Sequence, residues 1–475
     1  MPHPAVYVSA DGATTVTRCG GPRPVRSLLV DGVVQGDDSP VGVVMQGRLG
    51  LLPGLLAPKA GPSVFPSPLT GEGKGGGGSA ASGRRTNPDS PSPSPSPTQG
   101  GGDTGFNKRA FVVGVGTGIT LSALAAVVEG ASITAAERAP DILAAADHFR
   151  EHWAAPIDRP PVTVIAGDGA AVLAESEALY DLILVDLVTP AGSPGLFSRP
   201  FYRTAAARLS VGGVTAQWLP LFQVPPPMLR RVVAAFLAEF PESGLWFAAF
   251  DPFKPVALLV SGGSPTGVER ESAPAAVPGA GLGTIDDVRR LHLLDAAGLR
   301  RFAKGASPFE GDTPLVTDDE AADGLADGGR ENIEALIDCA DEPNPVGCAF
   351  LAACRADEAG DYFAALTGYR RVMQTLPDDP LVRLRAADAS ASVLILQGAS
   401  LWAEGDVEGA EAVLRRAVAT APDRPDARDA LAGFLTDLNR HEEALAEIEV
   451  ALAIDPDDAD LHAGRRAILH NLGRA

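Results

Sequence analysis

From Arg109 to Gly262 the hydrophobic positions gather into short dense runs, "AFVVGVG", "SITAAE", "VTVIAG", "DLILVDL", "GVTAQWL" and "VALLVSG", separated by Ala-rich stretches of helical character. Such runs read as strands buried on both faces. Strands alternating with helices predict a parallel sheet covered by helices on both sides. Upstream, residues 5–35 show shorter apolar stretches broken at Asp11-Gly12 and Asp31-Gly32, pairs that tolerate positive φ between hairpin strands, so a small β unit is expected there. From Val41 to Leu56 the pattern turns helical, and Pro58 ends it.

Downstream the pattern changes twice. Residues 263–330 are Gly/Pro/Ala-rich around one short helical stretch, "TIDDVRRLHLLDAAGLRRFA", and "DTPLVTDDE" follows. A helical repeat then begins. Gly360, Gly405 and Asn439 are followed at a fixed offset by Ala365, Ala410 and Ala444, and at a second fixed offset by Pro377, Pro422 and Pro456. Pro422 and Pro456 stand one tetratricopeptide period of about 34 residues apart, whereas the interval from Pro377 to Pro422 is longer, so one loop or helix is extended there. Small residues let paired helices approach, and proline closes the second helix of each pair.

Composition removes one segment from the folded part. Residues 59–108 contain "GKGGGGSAASG" and "SPSPSPSP", too little apolar surface to offset chain entropy, so a disordered insert is expected. The expected organisation is 1–58 as a β-hairpin domain with its helix, 59–108 as insert, 109–262 as a Rossmann-like nucleoside-binding domain, 263–330 as its C-terminal part and connector, and 331–475 as tetratricopeptide-like repeats. The fold class is thus α/β, with a small N-terminal β domain and an all-α repeat domain.

Charge narrows the partners. With 60 acidic and 39 basic residues the formal charge of −21 repels nucleic acid and anionic lipid, while cationic substrates are compatible with it. Cys19, Cys339, Cys348 and Cys354 are not spaced as CxxC pairs, which argues for thiols rather than a zinc site, and no metal is expected. No window approaches the ~20 apolar residues of a membrane span, so a reduced, cytoplasmic setting is expected.

The chemistry concentrates at strand ends. Gly114, Gly116 and Gly118 stand between the first strand and the helix "ITLSALAAVV", where backbone can approach a ligand at a helix N-terminus. The next strand ends at Glu137, placed to accept from ribose hydroxyls, and the third ends in Gly167-Asp168-Gly169, where Asp168 can accept from an adenine amino group. Turn-forming and capping roles would suit the same residues. Glycine, ribose carboxylate and adenine carboxylate follow the order of an adenosyl-sulfonium site on a Rossmann-like, methyltransferase-type sheet. NAD fits less well, because Ile119 stands where GxGxxG has its third glycine. Asp186 closes the fourth strand at the ligand crevice. An amine with pKa near 10 is deprotonated in roughly one molecule per thousand at neutral pH. A carboxylate there holds the ammonium and takes its proton, freeing the lone pair to attack carbon beside sulfur.

In sequence order, "LLVDGVVQ", "MQGRLGLLPGLL", "GVGTG", Glu137, "GDG", "YDLILVDLVTP", "LFSRPFY" and "GGVTAQWLPL" resemble the spermidine synthase (polyamine aminopropyltransferase) family. The resemblance covers about Ala5 to Asp319, apart from the insert and residues 263–305. "GGVTAQWLPL" and "TPLVTDD" are similar to bacterial synthase-like proteins often fused to membrane segments, of which this sequence carries none. The resemblance implies decarboxylated S-adenosylmethionine as co-substrate, a small amine acceptor, and dimers. It implies that Gln35 and Gln46 lie near the nucleoside, that Glu137 and Asp168 bind ribose and adenine, and that Asp186 is catalytic. The acceptor half departs from the family pattern: Thr117 and Thr189 stand where it has acids, and Met45 where it has a tyrosine or similar group.

Three readings therefore stand open: an aminopropyltransferase of unsettled acceptor, a methyltransferase using S-adenosylmethionine, and an inactive nucleoside-binding platform for the repeats. The repeats imply a protein or peptide partner.

Overall fold

The computed structural model describes residues 5–9, 12–19, 24–30, 33–57, 108–128, 130–187, 192–249, 251, 254–262, 280–282, 285–311, 313–315, 326–341 and 344–474. Apart from Lys108, the insert expected at 59–108 lies outside these residues, as do Thr189 and the Asp11, Asp31 and Gly32 turn positions.

Strands β1 (Ala5–Ser9), β2 (Gly12–Cys19), β3 (Val25–Val30) and β4 (Val33–Asp37) form an antiparallel meander. Helix α1 (Pro40–Leu56) follows. Ser39 accepts from the Gly42 amide at 3.0 Å, and Pro40 occupies the first turn, where its missing N–H costs nothing. The main sheet contains β5 (Arg109–Val113), β6 (Ser132–Glu137), β7 (Val162–Ala166), β8 (Tyr180–Val185), β9 (Leu209–Pro220), β10 (Ser243–Ala249), β11 (Val256–Ser261) and β12 (His292–Leu294). Its order is β12-β10-β11-β9-β8-β5-β6-β7.

The expectation of a parallel sheet holds for one half only. From β7 to β9 every pairing is parallel, but β9–β11, β11–β10 and β10–β12 are antiparallel. The link from β10 to β11 is too short for the crossover that parallel strands need, so the two form a hairpin. The order reverses at β5, with β6 on one side and β8 on the other. In open α/β sheets that switch point is where ligands bind.

Helices α2 (Ile119–Val127) and α1 pack together on the sheet, α1 reaching β8 to β11, while α4 (Gly169–Glu175), α5 (Arg199–Ala207) and α6 (Pro226–Glu239) form another contiguous group. Helix α3 (Pro140–Ala146) and the 3-10 turn after it receive the N-terminal sheet through Val16, Leu28, Ile142, Ala145 and Phe149. That contact sets the small sheet beside the switch point.

Residues 326–341 and 344–471 carry helices that pack on their sequence neighbours. Gly360, Gly405 and Asn439 have φ of 73°, 85° and 58°, the left-handed turn between the two helices of a pair. Ala365, Ala410 and Ala444 are fully buried just beyond. The longer interval between Pro377 and Pro422 comes from the 24-residue helix Pro380–Ala403, against 13 residues in the helix Pro425–Asp437. Among the described residues no helix is long and apolar enough to cross a membrane.

Candidate active site

Strand β5 is buried along Ala110–Val113 because its run of apolar side chains has sheet or helix on both faces. Its ladder continues one residue further, the Gly114 amide donating to Ala136 and the Asp186 amide to Val113, both at 2.9 Å. This closeness requires glycine. A Cβ on Gly114, at φ 94°, would stand 2.3 Å from the Asp186 carbonyl oxygen. The loop then turns into α2, held by the Trp153 indole, which donates to the Thr117 carbonyl at 3.0 Å.

Glu137, at the end of β6, is buried and braces the same loop. One carboxylate oxygen accepts from the Val115 amide at 2.9 Å and the other from the Ala139 amide at 3.0 Å. A carboxylate offers about four acceptor directions, so these two bonds leave capacity for a diol. Asp168 caps α4, its Oδ1 accepting from the Ala171 amide at 3.0 Å, and it is otherwise exposed beside the cavity. Gly169 is buried against Val113.

Thr117 and Gln46 form a unit that sequence did not reveal. The Thr117 hydroxyl donates to Gln46 Oε1 at 2.5 Å, and Gln46 Nε2 donates to the carbonyls of Asp37 and Gly42, each at 2.9 Å. Both side chains are buried. The glutamine amide is thus committed within the protein, joining β4, α1 and the glycine loop.

Asp186 follows β8 at the crevice, half-buried, and lines the cavity. Burial pushes this carboxyl up to about 7; the Thr120 hydroxyl pulls it back down and the Glu137 charge pushes the same way as burial.

These groups line one cavity of about 420 Å³. It brings together Gln35, Gln46, Gly114, Gly116, Thr117, Glu137, Asp168, Gly169 and Asp186. Gly118 does not line it; that residue is the N-cap of α2 and packs toward Trp153 and Ile157. Met45 is also absent from the lining and packs partly buried against the core. Arg138, Ser193 and Leu196 line it without having been singled out in the sequence. Arg138 had one available signal, its place directly after the strand-end acid. Among the described lining residues three carboxylates face a single guanidinium, a balance that suits a cation.

Elsewhere, Asp38, Glu151 and His152 converge closely enough to ligate a metal, but Arg26 already pairs with both carboxylates there. Cys339, Cys348 and Cys354 are free thiols, and burial pushes the Cys354 thiol up to about 12.

Residues 100–218 match the family model of the spermine/spermidine synthase domain, and residues 401–468 match that of the tetratricopeptide repeat. The polyamine aminopropyltransferase of Desulforudis audaxviator is 32% identical over 149 residues, 31% of this chain and 54% of that protein. The spermidine synthase of Dictyostelium discoideum is 31% identical over 120 residues, 24% of this chain and 42% of that protein. Putrescine N-methyltransferase 2 of Nicotiana attenuata is 30% identical over 129 residues, 27% of this chain and 35% of that protein. The matches thus span from about a third to about half the length of these curated relatives. A solved structure of a probable spermidine synthase from Corynebacterium glutamicum aligns with a TM-score of 0.41 at 14% identity, over 67% of this chain and 99% of that one.

Proposed function

We propose that this chain, with its spermine/spermidine synthase domain joined to tetratricopeptide repeats, moves an aminopropyl group from decarboxylated S-adenosylmethionine to an amine. The observation that carries the reading is Asp186, a carboxyl poised near neutrality on the wall of a cavity that Glu137 and Asp168 also line. Gln35, the glycine loop, Glu137 and Asp168 would hold the adenosine, leaving the sulfonium toward Asp186. The ionised Asp186 receives the acceptor's ammonium and takes one proton. The nitrogen lone pair then forms the N–C bond while the C–S pair returns to sulfur, leaving a neutral thioether that needs no acid. We assign the repeats the role of holding a protein or peptide.

One observation favours a second reading. Where the family pattern has an acid in the glycine loop, this chain has Thr117, whose hydroxyl donates to Gln46. A loop without that negative charge removes the partner of a free ammonium and the repulsion of a donor carboxylate, which suits methyl transfer from intact S-adenosylmethionine. Relatives named putrescine N-methyltransferase agree with this.

Titration calorimetry with each donor, followed by mass spectrometry of products formed with putrescine as acceptor, separates the readings. Aminopropylated amine with methylthioadenosine supports the first, and methylated amine with S-adenosylhomocysteine the second. Failure of both donors to bind would overturn the nucleoside site itself.

A further inference from the structure

The helix that shapes the cavity is held from behind by the repeat region. On α1, Gln46 faces the glycine loop, while Arg48, two residues on and therefore on another side of the helix, is fully buried. The Arg48 guanidinium donates to the carbonyls of Ala280 at 2.7 Å and Ala248 at 3.2 Å, and to Asp379 Oδ2 at 2.7 Å. Asp379 is equally buried. Its other oxygen accepts from the amides of Leu381 at 2.9 Å and Val382 at 3.0 Å, capping the helix Pro380–Ala403. One carboxylate thus ends the longest repeat helix and anchors α1. The joint is tight, since a Cβ on Gly281 would stand 2.2 Å from Pro380 Cδ.

We infer that Arg48 and Asp379 are positioning residues for the nucleoside site: the buried ion pair fixes α1 against the repeat helix, and α1 in turn fixes Thr117 through Gln46. A charge pair is costly to bury unless its geometry is exact in both partners. Here each guanidinium nitrogen has an acceptor and both carboxylate oxygens are bonded, and the chain of contacts from Asp379 through Arg48, α1 and Gln46 to Thr117 has no solvent-exposed member among these side chains. The donor-binding part of this inference rests on the reading above; the part about the glycine loop does not.

The test uses the full chain carrying Arg48→Met with Asp379→Asn, which removes both charges together and leaves an asparagine able to cap the helix. Amide hydrogen exchange over residues 114–120 is measured at a temperature where the sheet core stays protected, and S-adenosylmethionine and its decarboxylated form are titrated calorimetrically. We expect at least tenfold faster exchange in that loop and at least tenfold weaker binding of whichever donor the wild type accepts. Loop exchange within twofold of wild type in the folded variant would overturn the inference, even with a lowered melting temperature, because a merely structural pair moves global stability alone. If the double variant does not fold, Arg48→Lys, which keeps the charge with fewer donors, is held to the same loop criterion. If the wild type binds neither donor, the proposed function fails while loop exchange still decides this inference.

Discussion

Under the proposed function Asp186 carries two opposed requirements, since taking a proton needs the ionised form and burial disfavours it. Its folded pKa of about 7 exceeds the ordinary 3.8, so the folded state holds a proton that the unfolded state has lost. The stability that Asp186 contributes is therefore fully present below about pH 4 and is lost as pH rises through about 7. Asp186→Asn should abolish this loss: its melting temperature should exceed wild type at pH 8, by a free energy on the order of 4 kcal/mol, with the gap closing toward pH 4. The same variant should lose on the order of 10² to 10⁴ in transfer rate while still binding the donor, as single-turnover assays and calorimetry would show. Wild-type kcat/KM should rise with pH along a limb near 7. Because the Glu137 charge helps raise the Asp186 carboxyl, Glu137→Gln should move that limb to lower pH, and an unmoved limb would separate the two groups. The acids themselves were legible, because Glu137, Asp168 and Asp186 each close an apolar run that has no other use for charge. Their surroundings were not. The Asp168 cap on α4 is local and was among the roles the sequence allowed, but that Thr117 answers to Gln46 depends on how distant segments approach, which no local spacing records.

Helix α1 meets α2 at backbone distance. A Cβ on Gly50 would stand 2.1 Å from the Thr120 carbonyl and 2.8 Å from the Leu124 amide nitrogen, atoms that cannot yield without moving α2. Gly50→Ala should therefore cost about 1 to 3 kcal/mol and weaken donor binding, because the displaced helix begins at the glycine loop. Gly433→Ala is the control. That glycine is exposed inside the helix Pro425–Asp437 with nothing within 4 Å of an added Cβ, so alanine should stabilise by up to about 1 kcal/mol in urea unfolding. The strands found in the sequence were those whose apolar runs are dense and bounded by helices or turns. β10, "SGLWFAA", was missed because it runs almost directly into β11, and β12 because its three residues sit inside a stretch patterned like a helix. In the repeats the turn residues mattered more than the helices. Gly360, Gly405 and Asn439 were visible as a spacing, and their positive φ supplies the reason for it.

The hydrophobic core that starts in α1 runs through the sheet and on to Ala389, well inside the helical region, whereas Ala410 to Ile468 form a second core. Sequence periodicity marks where repeats begin but carries no record of which neighbour their side chains are buried against. A chain ending at Gly405 should keep a folded sheet and its donor affinity, while one ending at Asn344 should lose both, since it strips Phe350, Tyr369 and Leu381 from the first core and Asp379 from Arg48. Circular dichroism melts and calorimetry on the two truncations check this. Between the cores runs the helix Pro380–Ala403, whose 24 residues span about 36 Å. It is rooted in the first core by Leu381 and Val382, and its far end packs on the second through Leu401 and Trp402. Such a member behaves as a mast rather than a tether. Gln397 is exposed near its outer third, and Gln397→Pro should kink it, changing the small-angle scattering profile while leaving donor affinity intact. With the mast unbroken, the outer repeats stand at a fixed distance from the cavity, so on the proposed function a partner held by them would be kept at one distance from the acceptor amine.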